Sequence, residues 1–443
     1  MTSHRTLDRK IWDIAWPAIL SNISIPLLGL VDSAILGHLD NSQYLGAVAV
    51  GAAILSFLYW GFSFLRMGTT GPVALAEGAG NHHDSFLVLF RSSAIALVIA
   101  AGVLLFHAPL LALGMGMMAP APELAPLTDS YMNIRILSAP AVLLTYTVVG
   151  WCIGRQDTRW PLLIVVATNL TNIALDFLFV MGLGLNSDGA AMATVIAEYL
   201  GCALALYTVW RHRRQLNTQA VMRDMKIVSA YRLILSSNRY LFVRTICLLF
   251  SFAFFTAAGE NFGTDTLAAN TLMIQLLLIG AYGMDGFAYA AEGLTGNRLG
   301  AGDLPGFYRV VARCTLWTAV SAGTVSVALV LFEAPLLNAL TSLDSVTELI
   351  GQYYPWLVVL PLLAAPSYLL DGVFIGSAQT RHMMTTMLIS TLGVYLPLWY
   401  LTTGWGNHGL WLSFAAFNLA RGITLYACYR QVSQRHAWQV AVH

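Results

Sequence analysis

Two aspartates of this sequence lie inside long apolar segments, where an ionised side chain is costly unless it is paired or neutralised. Asp32 stands near the end of one such segment, and Asp176 follows Asn172 by four residues in another. On a helix, a spacing of four places Asn172 and Asp176 on the same face. Residues of this kind are functional candidates, because acids are retained in apolar surroundings mainly for transport or proton transfer.

Two carboxyl groups that face each other support two kinds of cation chemistry. Neighbouring carboxylates repel one another, and the uptake of a proton relieves that repulsion. Alternatively, the carboxylates of Asp32 and Asp176, the amide oxygen of Asn172 and the hydroxyl of Thr194 would supply hard oxygen ligands to sodium. The sequence does not separate these alternatives. We favour the proton, because paired carboxylates suit a proton site.

Other polar side chains accompany these acids in the apolar segments. Thr194 and Glu198 share one helical face, and Asn169 precedes Asn172 by three residues. Asp285 has a second interpretation as the partner of Arg244 in a structural ion pair. The candidates for substrate binding or coupling in the two halves of the chain are Tyr131, Tyr146, Asn169, Glu198, Asp285, Tyr368 and Asp371.

The composition indicates that these residues lie in a membrane. The chain has 443 residues with 23 basic and 22 acidic side chains, so that 10% is charged and 57% is apolar. A soluble protein usually carries about 25% charged residues. This scarcity excludes a soluble enzyme and a disordered chain. A net charge of +1 provides no field that would attract a nucleic acid.

Twelve segments are long and apolar enough to cross a bilayer, which takes about 20 residues per helix. The predicted spans are 11–37, 45–71, 86–108, 126–153, 161–184, 189–210, 241–259, 267–294, 313–333, 353–377, 383–403 and 409–429. The strands of a β-barrel do not fit these runs, because they are about 10 residues long and alternate in polarity. The sequence therefore predicts an all-α membrane protein with twelve transmembrane helices.

Basic residues are concentrated in one set of loops. Eighteen of the 23 lie in the N-terminal arm, in the C-terminal tail, and around the loops after the fourth, sixth, eighth and tenth spans. The loops after the odd-numbered spans contain none. Because cytoplasmic loops carry the excess of Lys and Arg, we expect both termini to lie in the cytoplasm.

A shift of 222 residues aligns the two halves of the chain without a gap. The matched positions include Gly78 with Gly300, Gly150 with Gly372, Gly154 with Gly376, Tyr131 with Tyr353, Tyr146 with Tyr368, and Arg159 with Arg381. Since six spans are an even number, both halves point in the same direction. The predicted architecture is two parallel six-helix bundles related by a pseudo-two-fold axis along the membrane normal.

The repeat also predicts the domains. They are an N-terminal lobe of residues 1–215, a basic cytoplasmic linker of residues 216–238 and a C-terminal lobe of residues 239–443. The same shift places Phe254, Val394 and Leu398 opposite Asp32, Asn172 and Asp176. The acids therefore belong to one half only, which favours a function for them, because a structural pair would recur in both halves.

Segments along essentially the whole chain resemble the multidrug and toxic compound extrusion (MATE) exporters, and specifically their DinF-like branch. They include WPAILSNISIPLLGLVDSAILGHLD (16–40), GRQDTRWPL (154–162), NIALDFLFVMGLG (172–184) and MDGFAYAAEGLTGNRLGAGD (284–303). The ordered set of segments, with twelve spans and a 6+6 repeat, carries the resemblance, because no single short segment is highly specific.

The resemblance implies a cation site in the N-terminal lobe and a first helix that bends when this site is protonated. A proline kinks a helix because the carbonyl four residues earlier loses its partner. Pro17 and Pro26 both lie in the first helix, and the sequence does not choose between them. The implied cation-coupling positions are Asp32, Asn172, Asp176 and Thr194.

The resemblance further implies a secondary antiporter that exports drugs or toxic organic compounds by alternating access, driven by inward flow of protons or, as the alternative, sodium. We expect small, often cationic or aromatic substrates. We also expect a monomer in the lipid bilayer of a bacterial cytoplasmic (inner) membrane. The alternative function is a lipid or lipid-linked precursor flippase, a class of related fold that usually has more helices.

An enzymatic activity is not expected. The chain has no HExxH motif, nucleophile elbow or GxxxxGK[ST] loop, and its five cysteines form no CxxC pair. We therefore expect no cofactor, no resident metal other than the alternative sodium ion, and no nucleic-acid partner.

Overall fold

The computed structural model describes residues 2–39, 41–213, 218–341 and 343–438. These residues contain no β-strand, and twelve long helices account for most of them. The helices are α1 (Thr2–Gly37), α2 (Ser42–Gly78), α3 (His82–Leu105), α4 (Ala125–Gly154), α5 (Arg159–Gly182), α6 (Asn186–Arg211), α7 (Val228–Glu260), α8 (Thr264–Gly300), α9 (Leu304–Leu331), α10 (Asp344–Gly376), α11 (Thr380–Trp405) and α12 (Asn407–Gln434). The predicted all-α class is confirmed.

Most helices extend beyond the spans predicted from the sequence. Among the described residues, eleven helices are long and apolar enough to cross a membrane. α12 is outside that set but has 28 residues, which is sufficient length to cross. Short helices, His107–Met118 and Glu333–Leu340, follow α3 and α9, so that they stand at equivalent places in the two halves.

Four of the long helices contain local breaks that the hydrophobic pattern does not reveal, among them α11, which includes a π-helical stretch, Ile389–Tyr395. α2 is interrupted between Gly61 and Phe64, and α4 contains a 3-10 turn at Ile136–Ser138. α5 ends in a π-helical turn, Phe177–Gly182, which begins directly after Asp176. π turns inside α-helices often accompany functional sites. The break in α5 therefore draws attention to the same residue as the sequence analysis.

The chain packs into two compact units. The first comprises residues 1–19, 74–80 and 235–443 and the second residues 20–73 and 81–234, each as far as its residues are described. α1 thus belongs to both units, with Ile19 as its last residue in the first and Leu20 as its first in the second. The predicted lobe boundaries follow the sequence repeat instead, and they stay a prediction.

The linker is partly helical. Residues 216–217 lie outside the described residues, but a short helix, Thr218–Asp224, follows them. The backbone oxygen of Asp224 accepts a hydrogen bond of 2.7 Å from Arg91, and its carboxylate lies 3.0 Å from Nε2 of His83. Hydrogen bonds from Arg223 and His83 hold the pKa of the Asp224 carboxyl group below its ordinary value. These contacts attach the first part of the linker to α3.

The internal repeat recurs as matched contacts between helices of the second unit. A methyl group on Gly150 of α4 would lie 2.4 Å from the carbonyl oxygen of Arg66 on α2. One turn later, a methyl group on Gly154 would lie 2.7 Å from the carbonyl oxygen of Thr70. Glycine at these positions is what allows the backbones of α2 and α4 to approach this closely.

The first unit repeats this arrangement at positions shifted by 222 residues. A methyl group added to Gly372 of α10 would lie 2.5 Å from the carbonyl oxygen of Ala288 on α8. A methyl group added to Gly376 would lie 2.3 Å from the carbonyl oxygen of Glu292. A third matched pair of contacts also lies in the first unit: Gly78 packs against the carbonyl oxygen of Asn297, and Gly300 packs against the carbonyl oxygen of Leu75. The two halves therefore use the same glycines to bring equivalent helices together.

We expect Gly150→Ala and Gly372→Ala each to destabilise the protein by about 1–3 kcal/mol, because the added methyl group must push two helix backbones apart. The measurement is thermal unfolding of the purified protein in detergent. Gly102→Ala is the matched control, since no atom lies within 4 Å of the added methyl group. Equal melting temperatures for all three variants would contradict the proposed role of the contact.

Candidate functional site

The structure brings four of the sequence candidates together inside the second unit, and we call them the acid pocket: Asp32 of α1, Asn172 and Asp176 of α5, and Thr194 of α6. The carboxyl groups of Asp32 and Asp176 are immediate neighbours. Nδ2 of Asn172 donates a hydrogen bond of 3.1 Å to the hydroxyl of Thr194, which donates in turn to the carbonyl of Ala190. Three helices thus converge on one polar cluster.

Several acceptor oxygens of the acid pocket lack a hydrogen-bond donor. Both carboxyl oxygens of Asp176, Oδ1 of Asp32 and Oδ1 of Asn172 are buried and have no partner among the described residues. The side chains of Asn172 and Asp176 are 0% and 2% exposed, so that bulk water does not satisfy them. An unsatisfied buried acceptor costs about 1–3 kcal/mol, and more when it is charged.

The unpartnered oxygens define what the acid pocket would hold. A proton on one carboxyl group would turn that group into a donor to the other and relieve their repulsion. A sodium ion would instead find two carboxylates, an amide oxygen and a hydroxyl, which are the hard ligands it prefers. In the described part of the chain, the acid pocket included, no three His, Cys, Asp or Glu side chains are grouped as metal ligands.

Asn169 connects the helix of Asp176 to the helix of Asp32. Its Nδ2 atom donates a hydrogen bond of 3.1 Å to the carbonyl oxygen of Ser24 in α1. Ser24 precedes Pro26 by two residues, and Pro26 deprives the carbonyl of Asn22 of its helical donor. α5 therefore holds α1 beside its second proline, although α1 remains helical through both prolines.

An arginine that the sequence analysis had not placed in the site lies beside the acid pocket. Arg135 of α4 stands within electrostatic reach of Asp32 and of the acid Glu198. It also interacts with Tyr131, which is 4% exposed, and donates a hydrogen bond of 2.9 Å to Ser138. The sequence does contain a signal for Arg135, because it lies within a predicted span and an arginine in a membrane requires counter-charges.

A second charged cluster lies in the first unit. Oδ2 of Asp371 accepts hydrogen bonds from Arg244 of α7 and from Arg421 of α12, the latter at 3.0 Å. All three side chains are buried, and Tyr368 of α10 lies in the electrostatic field of these groups and of Asp285. Arg244 thus bonds to Asp371, whereas one interpretation of the sequence pairs it with Asp285.

The two clusters differ in charge balance. Two guanidinium groups already neutralise Asp371, whereas Asp32 and Asp176 retain oxygens without donors. A cation is therefore better accommodated by the acid pocket than at Asp371 in this conformation.

Another candidate, Tyr146, is partly buried further along α4. Coupling or substrate binding at the remaining candidates stays a prediction.

A duplicated bundle of long membrane helices is an architecture that many transporters share. The MatE family model matches residues 17–178 and 241–401, which are the two halves of the repeat. The chain belongs to the MATE family of multidrug and toxin extrusion transporters and is a multi-pass membrane protein. The predicted family is confirmed.

Individual relatives support the DinF-like branch. The chain is 37% identical over 438 residues to DNA damage-inducible protein F of Escherichia coli (strain K12), covering 98% of this chain and 94% of that protein. It is 24% identical to the human Multidrug and toxin extrusion protein 1, covering 100% of this chain and 78% of the relative. A mutant of the Vibrio cholerae MATE transporter VcmN superimposes with a TM-score of 0.87 at 21% identity, covering 99% of this chain and 100% of that chain.

We expect Asp371→Asn to destabilise the protein by about 3–5 kcal/mol, because the neutral amide leaves two buried arginines without a counter-charge. Thermal unfolding in detergent is the measurement. The control is Asp303→Asn, which weakens the more exposed pair with Arg298 and should cost about 1 kcal/mol or less.

The triple variant Arg244→Met, Asp371→Leu, Arg421→Met removes all three charges and should recover most of the stability lost in Asp371→Asn. A single variant as stable as the parent would show that Asp371 does not balance these arginines.

Proposed function

We propose that this protein is a cation-coupled antiporter that exports drugs or other toxic organic compounds, with the acid pocket as its cation site. The observation that carries the proposal is the set of buried oxygens in Asp32, Asn172 and Asp176 that have no donor. The half-repeat without these acids has Phe254, Val394 and Leu398 at the matching positions. A cation would therefore bind to one lobe only, and its binding would change the conformation of that lobe.

The coupling ion in this proposal is a proton, with sodium as the alternative. One proton is sufficient to relieve the repulsion between the two carboxyl groups and to supply the missing donor. Inward movement of protons would then drive alternating access, in which the transporter opens to one side of the membrane at a time. Binding of the cation and of the exported compound would favour different conformations.

α1 is the element that we propose to move on protonation. It carries Asp32, it contributes residues to both compact units, and its middle is held to α5 by the bond between Asn169 and Ser24. The VcmN transporter of Vibrio cholerae has been solved in a bent form, which superimposes on this chain with a TM-score of 0.82. We assign the bend in this chain to Pro26, because that proline lies closer to Asp32 and to the Asn169 contact than Pro17 does.

The proposal includes the setting of the transporter. The human relative is a multidrug and toxin extrusion protein, which supports small organic compounds, often cationic or aromatic, as substrates. A bacterial relative and the one-sided distribution of basic residues support a cytoplasmic (inner) membrane location with both termini in the cytoplasm. The protein would act there as a monomer.

The decisive experiment measures efflux of a fluorescent organic cation from vesicles that contain the purified protein, under a proton gradient alone or a sodium gradient alone. We expect the proton gradient to drive efflux without sodium, and both Asp32→Asn and Asp176→Asn to reduce it to the rate of empty vesicles. Each variant removes one carboxyl group of the pair that would bind the proton.

Asp265→Asn is the matched control, because Asp265 is an exposed residue of the first turn of α8. It should transport like the parent protein. If a sodium gradient alone drives efflux, the coupling ion is sodium and not the proton. Unchanged efflux in both acid-pocket variants would refute the cation site, and lipid translocation without movement of the organic cation would make the protein a flippase.

We expect Pro26→Ala to slow proton-driven efflux and Pro17→Ala to leave it nearly unchanged, because only the first variant restores a helical donor beside the Asn169 contact. The distance between spin labels on either side of residue 26, measured at low and high pH, tests the cause directly. A pH-dependent change in distance should be lost in Pro26→Ala and kept in Pro17→Ala. The reverse pattern would assign the bend to Pro17.

A further inference from the structure

A groove of about 300 Å³ runs along the first unit between α9, α10 and α12. The buried side chains of Leu369 and Leu370 on α10 form its floor. Thr315 and Ala319 of α9 line one side, and tyrosines of α12 line the other. No charged residue is among the described residues that line it. The groove is thus predominantly apolar and partly open.

The side chains around the groove are those of a surface in contact with lipid. Leu316 and Val320 of α9, Leu362 of α10 and Ile423 of α12 are 45%, 48%, 49% and 59% exposed. Exposed apolar area of this extent is unfavourable in water, but these helices are of a length to cross a membrane, where hydrocarbon covers it. The occupant of the groove therefore comes from the hydrocarbon phase.

The length of the groove corresponds to one leaflet of the bilayer. Its lining on α9 extends from Val311 to Ala322, which is about 16 Å along a helix that rises 1.5 Å per residue. Half of a hydrocarbon core of about 30 Å is about 15 Å. A single acyl chain of one leaflet has this reach, whereas a compact aromatic compound would fill only part of the groove.

One end of the groove is aromatic, and two exposed arginines follow its tyrosines in the sequence. Tyr429 stacks on Tyr426 at 6.3 Å between ring centres and lies 6.5 Å from Tyr308 of α9. Arg309 and Arg430 directly follow two of these tyrosines and are exposed. Tyrosines are enriched at the level of lipid headgroups, and arginines bind phosphate groups there.

The interior of the groove offers few polar atoms. The hydroxyl of Thr315 donates to the carbonyl of Val311, whereas the hydroxyl of Thr318 is buried without a partner among the described residues. The described lining offers no charged group that would balance a charge. The lining therefore fits an uncharged hydrocarbon chain better than it fits an organic cation.

We propose that the groove binds one acyl chain of a glycerophospholipid from the leaflet that surrounds the start of α9 and the end of α12, with the phosphate group beside Arg309 and Arg430. The occupant is a single bound lipid, distinct from the layer of lipid that covers all exposed helix faces. This inference depends on the membrane-spanning helices and is independent of cation coupling.

The test uses a phospholipid with a photoactivatable group in its acyl chain, in vesicles of phosphatidylethanolamine and phosphatidylglycerol that contain the full-length protein. Mass spectrometry then locates the label. In the parent protein it should concentrate on the α9 and α10 residues of the groove. Ala319→Trp fills the groove and should lower this labelling at least about tenfold, since each methylene group excluded from an apolar site weakens binding about fourfold.

Val320→Trp is the matched control, because the adjacent residue is exposed but does not line the groove. It should label like the parent protein. Equal labelling in Ala319→Trp and the parent, or uniform labelling of all exposed helix faces, would show ordinary bilayer contact and overturn the proposal. Displacement of the label by an exported organic cation would overturn it as well, because the groove would then be a substrate site.

A second pair of measurements does not depend on filling the groove. Replacing Arg309 and Arg430 together by glutamine changes two exposed side chains. This variant should lower labelling by the phospholipid probe and leave labelling by an uncharged diacylglycerol probe unchanged. Equal loss with both probes, or loss with neither, would refute a phosphate position beside these arginines.

Discussion

The hydrocarbon core of a membrane penalises each charge that the protein does not balance, and this constraint organises the interior of both units. In the first unit, Asp371 is balanced by Arg244 and Arg421. In the second unit, Asp32 and Asp176 lie side by side, and oxygens of both have no donor. The first cluster pairs its acid with basic side chains, whereas the second leaves two neighbouring acids with buried acceptor oxygens that no donor satisfies.

A shared scaffold carries these two different clusters. The glycines that bring α4 against α2 and α10 against α8 occupy matched positions, and each faces the backbone oxygen of a matched residue. Close backbone approach is maintained because a side chain at these points would separate the helices. Polar residues are under no such constraint. Asp32 therefore has a phenylalanine as its counterpart while Gly150 keeps a glycine, and a duplicated fold acquires a site in one half only.

The acid pocket combines side chains from three helices. Asn172 of α5 bonds to Thr194 of α6, and a π-helical turn begins directly after Asp176. α1 supplies Asp32 and contains two prolines, so that its backbone has fewer internal hydrogen bonds near the site. Arg135 adds a positive charge within electrostatic reach of Asp32.

The sequence by itself determined the helical class, the twelve long helices, the repeat and the family, because each leaves a linear signal: hydrophobic runs of sufficient length, matched glycines and an ordered set of segments. It also indicated Asp32 and Asp176 as candidates, since they stand in apolar runs and have no acidic counterpart in the other half. Only the tertiary structure decided which charges meet. Arg135 beside Asp32, the two arginines on Asp371 and the groove along α10 depend on helices distant in sequence, whose relative rotation and depth are set by packing. Hydrophobic periodicity does not encode that rotation, because these helices are apolar on nearly every face.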